Sequence, residues 1–316
     1  MKRLFSAFIS AAIMLCCCGC AADKPDAGDK LSVVTTIFPA YDFARQVFGD
    51  NAEITLLLKP GVESHSYDPS ARDIVKISEC DLFIYNGGES DVWVENILDS
   101  VEGVPTCRMM DAVEAISEEL AEGMQEEHDE HDEHEEHSHD EEYDEHIWTS
   151  PRNAVLITEH ISQTAQQLFA DKAQTLAENE AAYTAKLADL DQRFSELLAG
   201  ESRYFVFGDR FPLLYFFKEY GLNYYAAFPG CGSEVEPSAQ TVSFLLNKLA
   251  GDDVIKTVFY IELSNHKLAD TLAGEVSLPT AEFHTCHNLT AEDFAAGETY
   301  LSLMERNYNM LLEALN

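Results

Sequence analysis

The sequence predicts an α/β protein of two parallel-sheet lobes joined by a long helix, and three observations support this. Short β-branched and aromatic runs alternate with helical periodicity in both halves of the chain, which is typical of parallel sheets with crossover helices. Between the halves, residues 153–199 show helical periodicity that no Gly or Pro interrupts. The length of 316 residues also exceeds one comfortable core, which favours two domains.

The predicted first lobe spans residues 31–165. It opens with the β-branched strand "LSVVTT", and the helix after it has Phe43, Val47 and Phe48 at helical spacing. "AEITLLL", "DLFIYNGG" and "VPTCRMM" have the composition of further strands. "SARDIVKISEC" and "SDVWVENILDSV" lie between them and have helical periodicity. The alternation predicts a parallel sheet, with ligand-binding loops at the carboxyl ends of its strands.

Residues 153–199 are predicted to form a single long helix or two abutting helices, and residues 166–199 of this stretch are the predicted linker helix. Residues 200–316 then form the predicted second lobe. Its strands are "RYFVFGD", "YYAAF", "VIKTVFYIE" and "TAEFH". Helical segments separate them, and a last helix runs from about Glu298 to Leu315.

The first nineteen residues have the pattern of a signal peptide, because Lys2 and Arg3 precede an apolar run too short to span a bilayer. The run ends in small residues and Cys20, which predicts lipidation of Cys20 and a tether over residues 20–30. We therefore expect an extracytoplasmic protein held at the cell membrane by its lipid. Ordinary secretion with a slightly later cleavage is the alternative.

The chain is strongly acidic, with a formal net charge of −37, and sixteen of its acids lie between residues 118 and 145. Such a surface argues against nucleic acid as a partner and favours a cation. Residues 118–145 form an acidic loop, which we expect to be unfolded because its like charges repel one another. Any zinc that this loop binds should be bound weakly, so the loop would be an accessory to a site elsewhere and would collect, sense or buffer zinc. A solvating insertion with no role is the plainer alternative. The histidines of this accessory loop are His128, His131, His134, His137 and His139.

Three places outside this loop could supply metal ligands. His65 lies in the turn-rich loop "GVESHSYDP" after a predicted strand, and His146 in "DEHIWTSP" stands where the acidic loop gives way to a capped helix. In the second lobe, "FHTCHN" places His284, Cys286 and His287 at a strand end, and nitrogen and sulfur donors suit zinc. Cys286 could instead form a disulfide with Cys231. After loss of the signal peptide and lipidation of Cys20, four cysteines remain, and their pairing stays open. They are Cys80, Cys107, Cys231 and Cys286.

The segments "PGVESHSYDPSARDIVKISECDLFIYNGGESDVWVENIL", "DEHIWTSPRNA", "FPGCGSEVEPSAQTVSFL" and "YLSLMERNYNMLLEAL" resemble the cluster A-I metal-binding solute-binding proteins of ABC importers. The resemblance runs in order through nearly all of the mature chain. It implies two α/β lobes joined by a rigid helix, with the metal in the inter-lobe cleft and two ligands from each lobe. It also implies that His65 and His146 are the first-lobe ligands.

The second lobe departs from the family pattern. The family usually has a His after the first strand of this lobe, whereas this chain has Asp209 and Arg210 near that place. Where the family has Asp or Glu after the late strand, this chain has His284, which becomes the expected ligand. Cys286, His287, Asp209, Cys231 or water compete for the fourth position. Arg210 cannot ligate a cation, and we expect it to pair with an acid such as Glu262 or Glu234.

The resemblance and the imidazole donors together predict Zn²⁺ as cargo, with Mn²⁺, which prefers oxygen ligands, as the alternative. The expected function is high-affinity zinc uptake by a monomer that delivers Zn²⁺ to an ABC permease and its ATPase. A surface metal reservoir or adhesin is a second possibility, and a zinc hydrolase a third. The sequence contains no H-E-x-x-H helix and no G-x-S-x-G elbow, so an enzyme is not expected.

Overall fold

The chain forms two four-stranded parallel sheets, with the strand orders β2-β1-β3-β4 and β6-β5-β7-β8, connected by helices. The computed structural model describes residues 30–62, 67–101, 103–124, 143–230 and 237–316. Residues Leu31–Asn316 make one compact unit. Two parallel-sheet α/β lobes are therefore present, and the fold class predicted from the sequence is confirmed.

The first sheet follows the predicted alternation, because each β-branched strand is followed by a helix that crosses back over the sheet. All of its strand pairs are parallel. Its strands are β1 Leu31–Thr35, β2 Ala52–Leu56, β3 Leu82–Tyr85 and β4 Thr106–Arg108. The helices between them are α1 Phe38–Phe48, α2 Ala71–Glu79 and α3 Val92–Leu98.

Two helices, not one, connect the sheets. Helix α4 spans Pro151–Leu168 and begins where the Ser150 side chain accepts the N–H of Asn153, with Pro151 in the first turn. Helix α5 spans Ala173–Leu197. The sequence allowed one helix or two, and the structure shows the second arrangement.

The second sheet has the same topology as the first, with its strand β5 at the position of β1. Its strands are β5 Tyr204–Phe211, β6 Asn223–Pro229, β7 Val258–Ile261 and β8 Thr280–Phe283. Its helices are α6 Leu214–Tyr220, α7 Ala239–Gly251, α8 Lys267–Val276, α9 Ala291–Ala296 and α10 Tyr300–Ala314. Helix α9 is the one element here that the sequence patterns did not predict.

One hydrophobic core cluster includes residues of both lobes, from Val33 in β1 to Leu311 in α10. A buried polar group lies inside it: the Asp42 carboxylate accepts the Tyr300 N–H (2.9 Å) and the Tyr183 hydroxyl (3.3 Å). Burial raises the pKa of Asp42, and these donors oppose that shift. Helices α1, α5 and α10 are thereby joined by hydrogen bonds as well as by apolar contacts.

The segment that follows β4 crosses from the first sheet to the second lobe. The Ile116 N–H donates to the Tyr215 hydroxyl at 3.0 Å, and Lys248 pairs with Glu122 at 3.3 Å. Ser117 then forms an antiparallel bridge with Tyr143, where the described chain resumes. This bridge brings the chain directly to Asp144 and the candidate site.

Candidate metal centre

His146 is held rigidly at the start of the short turn Ile147–Thr149, just before α4. The His146 carbonyl accepts both the N–H (3.1 Å) and the hydroxyl (2.8 Å) of Thr149. Ser150 caps α4 immediately afterwards. The capped helix therefore fixes the backbone that carries this imidazole.

Asp144 fixes the orientation of the His146 ring. Its Oδ1 accepts the His146 backbone N–H at 2.7 Å and lies 3.0 Å from Nδ1, a hydrogen bond in which a protonated Nδ1 donates. The two residues are 2% and 1% exposed. Since Nδ1 is engaged in this way, a metal would be bound through Nε2, the arrangement usual for metal-ligating histidines. Burial lowers the pKa of His146, but Asp144 and Glu145 outweigh it and raise this pKa above its ordinary value.

The loop that follows β8 is held by the carboxylate of Glu262, at the end of β7. Glu262 Oε2 accepts the Thr285 N–H (2.7 Å), and Oε1 accepts the Thr285 hydroxyl (2.6 Å) and the His287 N–H (3.2 Å). Cys286, between them, has φ +63°, a left-handed conformation that is uncommon for residues other than glycine. Glu262 thus stabilises a tight turn that presents the next side chain, His287.

His287 faces His146, and the two ring centroids are 5.4 Å apart. The Trp148 ring contacts both imidazoles, at 5.6 Å from His146 and 5.1 Å from His287. Its Nε1–H donates to the Thr285 carbonyl at 3.0 Å, which ties the first-lobe turn to the second-lobe loop. Both histidines line one small cavity of about 30 Å³.

The cavity walls come from both lobes. Gly230 is part of the cavity wall, and a Cβ atom added to it would lie 3.1 Å from Pro212 Cα and 3.5 Å from His146 Cε1. The described residues that line the cavity are Val62, His146, Arg210, Pro212, Gly230, Ile261, Glu262, Leu263, Thr285, His287 and Asn288.

His284 does not belong to this lining. Its ring is 4% exposed, and its Nδ1 accepts the Cys286 N–H at 2.9 Å. Asn307 of α10 holds its backbone on both sides, by accepting the His284 N–H and donating to its carbonyl. Within the described residues, the structure therefore brings His146 together with His287, and it places His284 behind the loop.

The other second-lobe candidates take different positions. Cys286 is a free, fully buried thiol outside the cavity lining, and burial holds its pKa well above the ordinary value. The Asp209 carboxylate stabilises the backbone around it, because it accepts the N–H groups of Arg210 (2.8 Å) and Ile261 (3.3 Å). Burial raises the pKa of Asp209. Arg210 itself lines the cavity.

Several predicted residues lie outside the described part of the chain. His65 follows the cavity-lining Val62 by three residues and is one of them, and Cys20 and Cys231 are others. The whole set of accessory histidines also lies outside: His128, His131, His134, His137 and His139. Sequence analysis gave no role to Asp144 or Trp148, and it considered Glu262 only as a possible partner of Arg210. Only the D-x-H spacing ahead of His146 could have indicated the first of these.

Two parallel α/β lobes with facing imidazoles in one cavity define a solute-binding protein of the two-lobe type. Residues 33–314 match the family described as "ZnuA: Zinc-uptake complex component A periplasmic", and the chain belongs to this family. The family expected from the sequence is thereby confirmed.

Relatives of known name are similar over most of this chain. It is 33% identical to the zinc-binding lipoprotein AdcA of Streptococcus pneumoniae over 98% of its length, and it spans only 60% of that relative. It is also 33% identical to the high-affinity zinc uptake system protein ZnuA of Bacillus subtilis, covering 99% of this chain and 98% of that protein.

Solved structures agree with this relationship. The Zn(II)-bound ZnuA-like domain of Streptococcus pneumoniae AdcA superimposes with a TM-score of 0.73 at 31% identity, over 90% of this chain and 99% of that domain. The metal-dependent lipoprotein YcdH of Bacillus subtilis gives 0.75 at 27% identity, over 91% and 100%. Among the described residues, no helix is both long and apolar enough to cross a membrane.

Proposed function

We propose that this protein captures Zn²⁺ outside the cytoplasm and delivers it to the permease of an ABC importer. The observation that carries the proposal is the pair of facing imidazoles, His146 and His287, in a cavity shared by the two lobes. The Asp144 carboxylate holds the His146 ring, and the Glu262 carboxylate holds the backbone of His287. The names of the AdcA and ZnuA relatives, which describe zinc binding and zinc uptake, support it.

The proposed ligand set is His146 and His287 together with His65. His65 is included on the sequence resemblance and on the position of Val62 in the cavity wall. His287 replaces His284 as the preferred second-lobe ligand, because Nδ1 of His284 already accepts a backbone N–H. Imidazole donors favour Zn²⁺ over Mn²⁺, so zinc is the proposed cargo and manganese the weaker competitor.

The remaining parts of the proposal concern the setting of the site. Lipidation of Cys20 would hold a monomer at the membrane, beside a permease and its ATPase. The acidic histidine segment would be an accessory that collects zinc with lower affinity. No catalytic role is proposed, since the family is a transport component.

Competition titration of the mature protein with Zn²⁺ and Mn²⁺ tests the proposal. We expect one tight Zn²⁺ site in the wild type and loss of at least tenfold in affinity in His146→Ala and His287→Ala, because each removes a metal ligand. His284→Ala is the matched control from the same loop and should retain tight binding. Retention of full affinity in both ligand variants would refute this site.

A deletion separates the cavity from the acidic segment. It should remove residues 125–142 only, because Glu119 and Glu122 form ion pairs with Lys218 and Lys248 of the second lobe. We expect the deleted protein to keep its tight Zn²⁺ equivalent and to lose only weaker binding. Loss of the tight equivalent would place the main site in the segment instead.

A further inference from the structure

The turn Lys59–Val62, which follows β2, reaches from the first lobe to the second. Its sequence K-P-G-V has Pro at the second position and Gly at the third, and Gly61 has φ +79°, as a type II turn requires. The Val62 N–H closes the turn on the Lys59 carbonyl at 3.2 Å. Leu58, immediately before the turn, is buried, and its N–H donates to the carbonyl of the residue after β1 at 3.0 Å. The base of the turn is therefore fixed in the first lobe.

Asn288 of the second lobe holds the tip of this turn. Its Nδ2 donates to the carbonyls of Lys59 (2.9 Å) and Val62 (2.8 Å), and its Oδ1 accepts the N–H of Leu289 (2.8 Å). The Gly61 N–H donates in return to the Leu289 carbonyl at 2.8 Å. Asn288 is 4% exposed, and both N–H donors of its amide are used on the turn. Three hydrogen bonds thus dock the first-lobe turn on the second-lobe loop.

The docked turn lies at the mouth of the cavity that holds the two imidazoles. Val62 and Asn288 both line this cavity, and so does Leu263, which follows β7. Val62 and Leu263 are also 41% and 44% exposed, so these two side chains, one from each lobe, lie between the cavity and the solvent. Asn288 directly follows His287, and His65 follows Val62 by three residues. The docked turn therefore connects two chain segments that carry proposed ligands from different lobes.

We propose that Asn288 is a positioning residue that keeps this turn closed over the cavity, so that Zn²⁺ enters and leaves only when the turn undocks. Removal of the amide takes two of the three hydrogen bonds from the docked state. The undocked turn loses nothing, because water then solvates its carbonyls. Asn288 therefore sets the equilibrium between docked and undocked turn, and with it the rates of Zn²⁺ exchange. This inference rests on the proposed function of the cavity as a zinc site.

Stopped-flow experiments on the mature protein test this role. Mixing of the Zn²⁺-loaded protein with excess chelator gives the dissociation rate, and mixing of the metal-free protein with Zn²⁺ and a chromogenic chelator gives the association rate. We expect Asn288→Ala to release Zn²⁺ at least about tenfold faster, because two hydrogen bonds of the docked state are lost. Association should also become faster, so the affinity should fall by a smaller factor than the dissociation rate rises.

The matched control is Asn179→Ala. The Asn179 amide also donates to a backbone carbonyl of another element, that of Val47 at 3.0 Å, but it joins α5 to α1 and does not line the cavity. Its loss should lower the melting temperature and leave both Zn²⁺ exchange rates unchanged.

A second variant perturbs the turn and leaves the amide in place. Gly61→Ala puts a side chain at φ +79°, which disfavours the turn, although the added Cβ would meet no atom within 4 Å. It should release Zn²⁺ about fivefold faster. Gly103→Ala is its control, because Gly103 has φ +78° with equally open surroundings and lies outside the cavity lining. This control should release Zn²⁺ at the wild-type rate.

The possible failures are distinguishable. If the wild type binds no Zn²⁺ tightly, the proposed function is wrong, and the role of the turn with it. If the wild type binds Zn²⁺ tightly but Asn288→Ala and Gly61→Ala exchange it at wild-type rates, the metal site stands and the role of Asn288 does not. An association rate that stays unchanged in Asn288→Ala would contradict a turn that closes the entry path. Equal acceleration in Asn179→Ala would show general loosening of the fold instead.

Discussion

Asp144 offers the sharpest test of how His146, the proposed first-lobe ligand, is held. Among the described residues, its side chain bonds to His146 alone, through the backbone N–H and the ring Nδ1, at 2.7 and 3.0 Å. Its own backbone is anchored independently, because its N–H donates to the Ile116 carbonyl and its carbonyl accepts the Tyr215 hydroxyl. Asp144→Asn therefore removes the charge behind the imidazole while the chain around it stays fixed.

The expected magnitude follows from these two bonds. Loss of the group that orients a metal-ligating histidine costs about 10- to 100-fold in metal affinity, or roughly 1.4–2.7 kcal/mol. The asparagine side chain would keep one neutral acceptor, so Asp144→Asn should lie near tenfold, whereas Asp144→Ala should approach a hundredfold. Both losses should be largest near pH 8, where protons compete little for the ring.

The pH dependence separates this role from simple destabilisation. Asp144 contributes to the raised pKa of His146, and Zn²⁺ needs the neutral ring. As pH falls, the Zn²⁺ affinity of the wild type should therefore begin to decrease at a higher pH than that of Asp144→Asn, and the difference in affinity between them should narrow. The assay is chelator competition from pH 8 to pH 5.5, with circular dichroism to verify folding.

The matched control is Asp270→Asn, because Asp270 lies 3.0 Å from the ring of His266 in an exposed pair remote from the metal cavity. It should leave Zn²⁺ affinity unchanged. Equal affinity of Asp144→Asn and the wild type at pH 8 would refute the argument that Asp144 positions His146. A constant affinity ratio at all pH values would refute its electrostatic part.

Two further predictions concern stability. Burial raises the pKa of Asp91 to about 6. Between about pH 4 and pH 6 the folded state therefore keeps this proton, whereas the unfolded chain has lost it. The free energy of unfolding should fall by about 3 kcal/mol as pH rises from about 4 to above 6. Urea titrations at several pH values should show that the free energy of unfolding depends less on pH in Asp91→Asn than in the wild type. An equal pH dependence in the two proteins would contradict this prediction. Trp148→Phe removes the donor to the buried Thr285 carbonyl and should cost about 1–3 kcal/mol of unfolding free energy and weaken Zn²⁺ binding. Trp93→Phe is its control, and equal effects of the two would refute a special role for Trp148.

Much of the fold could be predicted because the alternation of β-branched strands and helical periodicity is a local property of the sequence. The connection between lobes could not be fully predicted, because α4 ends at Leu168 and α5 begins at Ala173 without a Gly or Pro to mark the break. Helix α9 was missed since its six residues are too few for a periodic pattern.

The candidate site was predicted less completely, and the loop "FHTCHN" shows why. His284 and His287 are three residues apart, and which one faces His146 depends on the left-handed backbone at Cys286. That conformation is stabilised by Glu262, which lies more than twenty residues earlier in the chain. Local spacing contains no such information, so the sequence favoured His284 and the geometry favours His287.

The two imidazoles are connected by protein groups that lie outside the proposed ligand set. Trp148 contacts both rings and donates to Thr285, while its own carbonyl accepts the hydroxyl of Tyr300. Tyr300 in turn donates its N–H to the buried Asp42 of α1. A site held by such a frame needs little ordering of its ligands, which favours tight binding. Movement of the loop that carries Thr285 and His287 away from Trp148 would break the hydrogen bond between Trp148 and Thr285, so the frame that would favour the proposed zinc capture also opposes opening of the cavity.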